Sequence, residues 1–151
     1  MIQRIQTLFL LLAAVALAVC MMQPIGTWQP DALEGNTDLF NLCILAPDGS
    51  RSFNTWPLFA LLLLACTISV VNIFLFKNRK LQMKLCSTSI LLCVLWMIGV
   101  AVICYLNEPD GFKFYPSFFL ALPVIAVILL FLARARIKHD EKLVRAADRI
   151  R

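Results

Sequence analysis

"PLFALLLLACTISVVNIFLFKNRK", residues Pro57 to Lys80, runs for twenty residues without an Asp, Glu, Lys, Arg or His and then places three cations in four positions. At about 1.5 Å per residue the apolar part forms a helix of roughly 30 Å, the thickness of a bilayer's hydrocarbon core. Lys77, Arg79 and Lys80 end it, and Lys84 follows before the chain turns apolar again. An uncharged rod of membrane length, stopped by a cluster of like charges, reads as a spanning helix with one anchored end.

Three other stretches repeat the pattern: Ile5–Met22, Leu85–Leu106 and Pro116–Ala133. The 151 residues are 61% hydrophobic and 15% charged, with a mean hydropathy of +0.83. A soluble domain carries about 25% charged residues. Helices buried in a soluble bundle rarely lack charge on every face. The expected fold is therefore an all-α membrane protein. A four transmembrane helix bundle fills residues 1–134, with spans near 5–22, 57–76, 85–106 and 116–133, and a basic helical tail follows over 135–151. The first span also resembles a signal peptide, with Arg4 at its start and small residues from Ala14 to Ala18. "LAVC" at Leu17–Cys20 is similar to a lipoprotein cleavage box, but Val19 stands where Gly, Ala or Ser is usual. Retention as a membrane helix is the expectation.

Four spans leave five flanks on alternating sides. Flanks one, three and five hold twelve of the fourteen basic residues, and the other two hold only Arg51 and Lys113. Because short cytoplasmic loops retain Lys and Arg, both termini and the Lys77–Lys84 hairpin are expected in the cytoplasm. Those cations should also meet anionic lipid headgroups. Trp28, Trp56, Tyr105 and Tyr115 fall at the opposite ends of spans, where amphipathic rings prefer to lie. Trp96 lies deep in the third span and is expected to pack between helices.

The outer loop, 23–55, is punctuated by Pro and Gly. "LFNLCIL" (Leu39–Leu45) reads as a strand, "APDGS" as a turn in which Pro47 presets φ and Gly49 accepts positive φ, and "RSFNTW" as the returning strand. The result is a small extracytoplasmic β-hairpin cap resting on the helix ends or pairing with the segment around Trp28. Pro123 is expected to kink the fourth span. Past it no helix breaker occurs, so that span should continue into the tail.

Chemistry-bearing groups are sparse. Six cysteines include no C-x-x-C pair, so neither zinc nor dithiol spacing is present. Cys43, with Cys20 or Cys104, would be the only basis for a membrane thiol oxidoreductase. His139, between Lys138 and Asp140, lacks the i, i+4 partner of a helical metal site. Thr67, Ser69, Asn72, Ser87, Thr88 and Ser89 are the polar residues available to a small-molecule carrier or channel. Such side chains more often bond within or between helices. In the tail, Lys138, Lys142, Arg145 and Arg149 form one helical stripe, while Leu143, Ala147 and Ile150 form another. A helix with basic and apolar stripes suits a membrane surface, a partner helix or a second copy of the chain. Net charge over 134–151 is only +4 and no aromatic is present to stack on a base, so nucleic acid is not expected.

"MIQRIQTLFLLLAA", "FLFKNRKLQMKLC" and "DEKLVRAADRIR" together resemble a family of small four-helix membrane proteins from Bacteroidota, domain of unknown function forty-two ninety-three. The resemblance spans essentially the whole chain. It implies a bacterial inner-membrane protein with both ends cytoplasmic, and it brings no catalytic residue, cofactor or substrate. It directs interest to the termini and the basic hairpin. Gln3, Arg4, Gln6, Asn78, Arg79, Lys80, Lys138, Asp140, Glu141, Lys142, Arg145, Asp148 and Arg149 are the interaction candidates. The expected function is a non-enzymatic scaffold or accessory subunit that engages a protein partner, or itself, through its cytoplasmic face.

Overall fold

The computed structural model describes residues 3–30, 35–75, 78–107 and 112–149, with side chains from Ile5 to Val144 and at Ala146. Its helices are α1 (Gln3–Met22), α2 (Trp56–Phe74), α3 (Arg79–Leu106) and α4 (Leu122–Arg149), the last preceded by a 3-10 turn at Phe118–Ala121. All four are long and apolar enough to cross a membrane. α1 packs against α2 and α4, and α3 packs against the same two, which closes an up-down-up-down bundle. The start of α1, the α2–α3 turn and the end of α4 thus share one basic end.

Each helix buries a narrow seam. Leu10, Ala13 and Leu17 of α1 meet Leu58, Leu62 and Ala65 of α2, Cys86, Cys93 and Trp96 of α3, and Ala126, Leu130 and Ala133 of α4 in one core. Only 22% to 33% of the spanning windows is buried. Leu63, Leu91, Ile98 and Ile128 are among the large apolar side chains left outside. So much apolar surface facing outward suits lipid and not water. Gly99 lets α2 and α3 approach closely, since a Cβ there would stand 2.8 Å from Leu58 Cδ2. Because α1 supplies so much of this core, it is an integral member of the bundle and continues through Gln23 alone into the first strand.

Opposite the basic end lies an antiparallel sheet of five strands, a larger cap than the expected hairpin. The strands are β1 (Pro24–Pro30), β2 (Thr37–Phe40), β3 (Ile44–Leu45), β4 (Arg51–Ser52) and β5 (Phe112–Pro116), in spatial order β4-β3-β2-β1-β5. The expected turn is present: Gly49 has φ +81°, and its amide donates to Ala46 O at 3.0 Å. "LFNLCIL" is not one strand. Phe40 N donates to Cys43 O at 2.9 Å, folding the chain back so that β2 pairs with β3. The segment around Trp28 joins as the expectation allowed, and β1 pairs with β2 on one side and β5 on the other. Trp28 is buried in the sheet, its ring 5.5 Å from that of Phe114, so it is not one of the interfacial aromatics. Trp56, Tyr105 and Tyr115 are exposed at this end.

Pro123 does not kink a helix. It occupies the first turn of α4, where its missing N–H has no intrahelical acceptor to lose. The residues before it form β5 and the 3-10 turn. From Leu122 the helix continues for 28 residues, about 42 Å.

Candidate functional site at the basic end of the bundle

Asn78 starts α3. Its side chain accepts from Leu81 N at 3.3 Å, satisfying one of the amides that a helix start leaves free. This fixes Arg79 at the helix entrance, where its Nη1 donates to the backbone carbonyl of Asp140 at 3.0 Å. The Asp140 carboxylate turns inward and accepts from Gln6 Nε2. Gln6 and Asp140 are both 7% exposed, so this is an interior contact. One acid therefore clasps the start of α1, the start of α3 and the far part of α4. Asp140 Oδ1 has no hydrogen-bond partner among the described residues. Asp140, an interaction candidate in the sequence, is used here inside the chain. The structure turns it in because Ala126, Leu130, Ala133, Ile137 and Asp140 follow one 4-3-4-3 seam, all buried.

A second polar contact closes the hairpin beside the clasp. Asn72 Nδ2 donates to Gln82 O at 3.2 Å, and Gln82 Nε2 donates back to Asn72 O at 3.2 Å. Asn72 Nδ2 also lies 3.1 Å from Cys86 Sγ. Such reciprocal bonds fix the pairing of apolar helices where the hydrophobic effect does not discriminate between registers.

Between α3 and α4 runs a groove of about 680 Å³. Lys80 and Lys84 line it from α3, and Arg134, Lys138 and Lys142 from α4, with Glu141 among them. Met83, Ser87, Phe131 and Ala135 form its less polar wall. The structure thus gathers Lys80, Lys138, Glu141 and Lys142 into one concavity and sets Arg79 and Asp140 in the clasp behind it. Asn78 is exposed beside them. The side chains of Gln3, Arg4, Arg145, Asp148 and Arg149 lie outside the described residues. Lys84 and Arg134 were missed as site members. Their signal was the i, i+4 ladder that each continues, Lys80–Lys84 on one helix and Arg134–Lys138–Lys142 on the other.

The sequence profile of a family described as Domain of unknown function (DUF4293) matches residues 2–150. The chain belongs to that family. The match takes in Gln6, Arg79 and Asp140, so the clasp and both groove walls lie within the family's domain. No curated protein matches the chain.

Four of the remaining hydroxyls in the spans are committed locally, while the buried Ser89 Oγ has no hydrogen-bond partner among the described residues. The hydroxyls of Thr67, Ser69, Ser87 and Thr88 each donate to the carbonyl four residues earlier, at 2.7 to 3.1 Å. At the sheet end, Asn41 is fully buried; its Nδ2 donates to Cys20 O at 2.7 Å and its Oδ1 accepts from Trp96 Nε1 at 2.9 Å. Trp96 thus packs between helices, as its sequence position implied, and also ties α3 to the sheet. Cys20 is buried, while Cys43 and Cys104 are half-buried. Among the described residues no group of three or more His, Cys, Asp and Glu is placed to hold a metal ion.

Proposed function

We propose that this chain is a multi-pass protein of a bacterial inner membrane, with its basic end in the cytoplasm, and that it works as a non-enzymatic scaffold or accessory subunit. Its partner is a protein presenting an apolar helical stripe, flanked by acidic residues, to the end of α4. One observation carries this reading. The seam that buries Ala133, Ile137 and Asp140 reaches Val144 at the next heptad position, and Val144 is 44% exposed. Leu143 beside it is 51% exposed. An apolar seam left open at its last position can be completed by another helix, and Lys138 and Lys142 set the charge of its rim. The Asp140 clasp holds the base of this segment, lowering the ordering cost of docking. The sidedness is supported by the sequence, whose first, third and fifth flanks carry twelve of the fourteen cations.

A photo-crosslinking residue at Val144, in the full chain in native membranes, tests the partner. The expected result is an adduct to one protein species other than the chain itself, lost when Leu143→Glu is added. Adducts only to lipid, or only to a second copy, would overturn the partner reading. Reporter fusions at Arg151 and within the Pro47–Gly49 turn test the sidedness, which is rejected if Arg151 reports the outside.

A further inference from the structure

We infer that the groove between α3 and α4 is a binding site for one anionic phospholipid of the leaflet at the basic end. The groove is graded along its length. α3 ascends from the basic end and α4 descends toward it, so Ser87 and Phe131 mark the inner, apolar part and Lys142 the outermost. The cations lie between, with Lys80 and Lys84 facing Arg134 and Lys138 across the cleft. A phospholipid carries the same gradient, acyl chain inward and phosphate at the interface. Phe131 is 52% exposed, an open apolar wall for a chain. Five cations against the single carboxylate of Glu141 leave an excess of positive charge for the phosphate. A volume of about 680 Å³ suits a headgroup and the first part of a chain. A soluble phosphate would use the cations but leave the apolar wall uncovered, which favours the lipid.

This site rests on the membrane-embedded reading but not on the protein partner at Val144, so its failure leaves the partner reading standing. The test is native mass spectrometry of the detergent-purified full chain, titrated with phosphatidylglycerol or phosphatidylcholine. The expected result is retention of phosphatidylglycerol over phosphatidylcholine. The Lys84→Gln/Arg134→Gln pair should weaken that retention by about thirty-fold, the loss of two cation contacts of ordinary strength. Arg134 and Lys84 are exposed, so the pair leaves the core untouched, and Lys84→Arg/Arg134→Lys should retain the lipid. Arg51→Gln at the sheet end should change nothing. Equal retention of the two lipids, equal loss with Arg51→Gln, or displacement of the lipid by millimolar glycerol 3-phosphate would each overturn the assignment.

Discussion

Replacing Asn41 by Leu tests whether the sheet is fastened to the bundle by the bonds that the geometry shows. Leu keeps the branched shape and suits a buried position, but its methyls are bulkier than the amide's N and O, so some overpacking adds to the loss. What disappears is the acceptor for Trp96 Nε1 at 2.9 Å and the donor to Cys20 O at 2.7 Å. The Cys20 carbonyl lies in the last turn of α1 and has no intrahelical partner to fall back on. Leaving a buried donor or acceptor unsatisfied costs about 1–3 kcal/mol each. Offset by the apolar gain from Leu, the net loss should be about 2–4 kcal/mol. Unfolding of the full chain in mixed micelles of increasing SDS fraction, followed by far-UV circular dichroism, measures it. Trp96→Phe completes a double-mutant cycle. Each single change strands a group that the double change removes, so the double should be at least about 1 kcal/mol less damaging than the sum. Additivity within roughly 0.5 kcal/mol, or an Asn41→Leu protein as stable as the parent, would refute the reasoning.

Three further outcomes follow from other contacts. Gly26→Ala would drive a Cβ into the Phe114 ring and to 2.9 Å from the Tyr115 carbonyl, so β1 and β5 must separate. Overpacking of this kind costs about 1–3 kcal/mol, read in the same unfolding assay, whereas Gly49→Ala meets no atom and disturbs only its turn's positive φ. Gln6→Leu leaves the buried Asp140 carboxylate without its donor, and trypsin should then cut the α4 segment after Arg136 or Lys138 at least several-fold faster than in the parent, while unchanged cutting rejects the clasp. The Ser50 hydroxyl and amide beside Asp48 hold its carboxyl below its ordinary value of 3.8. A lowered folded-state value makes the turn's contribution present above that pH and lost on acidification through it. The Ser50 amide resonance should therefore titrate with a midpoint under 3.8, and a midpoint above it counts against the bond.

The spans were legible because a membrane-length apolar run is a local signal, and the charges that end it are equally local. Where the chain stops being apolar and where the helix stops are different questions, however. α3 begins at Arg79, inside the basic knot, because Asn78 caps it there. Pro123 reads as an interruption only if the fourth span starts at Pro116. The structure spends Phe112–Pro116 on β5, so Pro123 falls at a helix start. β5 carries no strand signal of its own strong enough to be read from five residues, and its partner β1 lies more than eighty positions earlier. β1 itself is bounded by Pro24 and Pro30, which read as loop punctuation but are tolerated at strand ends. At the basic end, the ladder on each helix was visible in the sequence. Which two ladders face each other follows only from the closure of the bundle.

The pairing of Gln6 with Asp140 has a consequence for biosynthesis. The two residues stand 134 positions apart, and β5, the partner of β1, likewise comes late in the chain. As synthesis proceeds from the N-terminus, α1 must wait beside α2 and α3 with one flank uncovered until α4 is translated. The arrival of Asp140 beside Gln6 closes that flank.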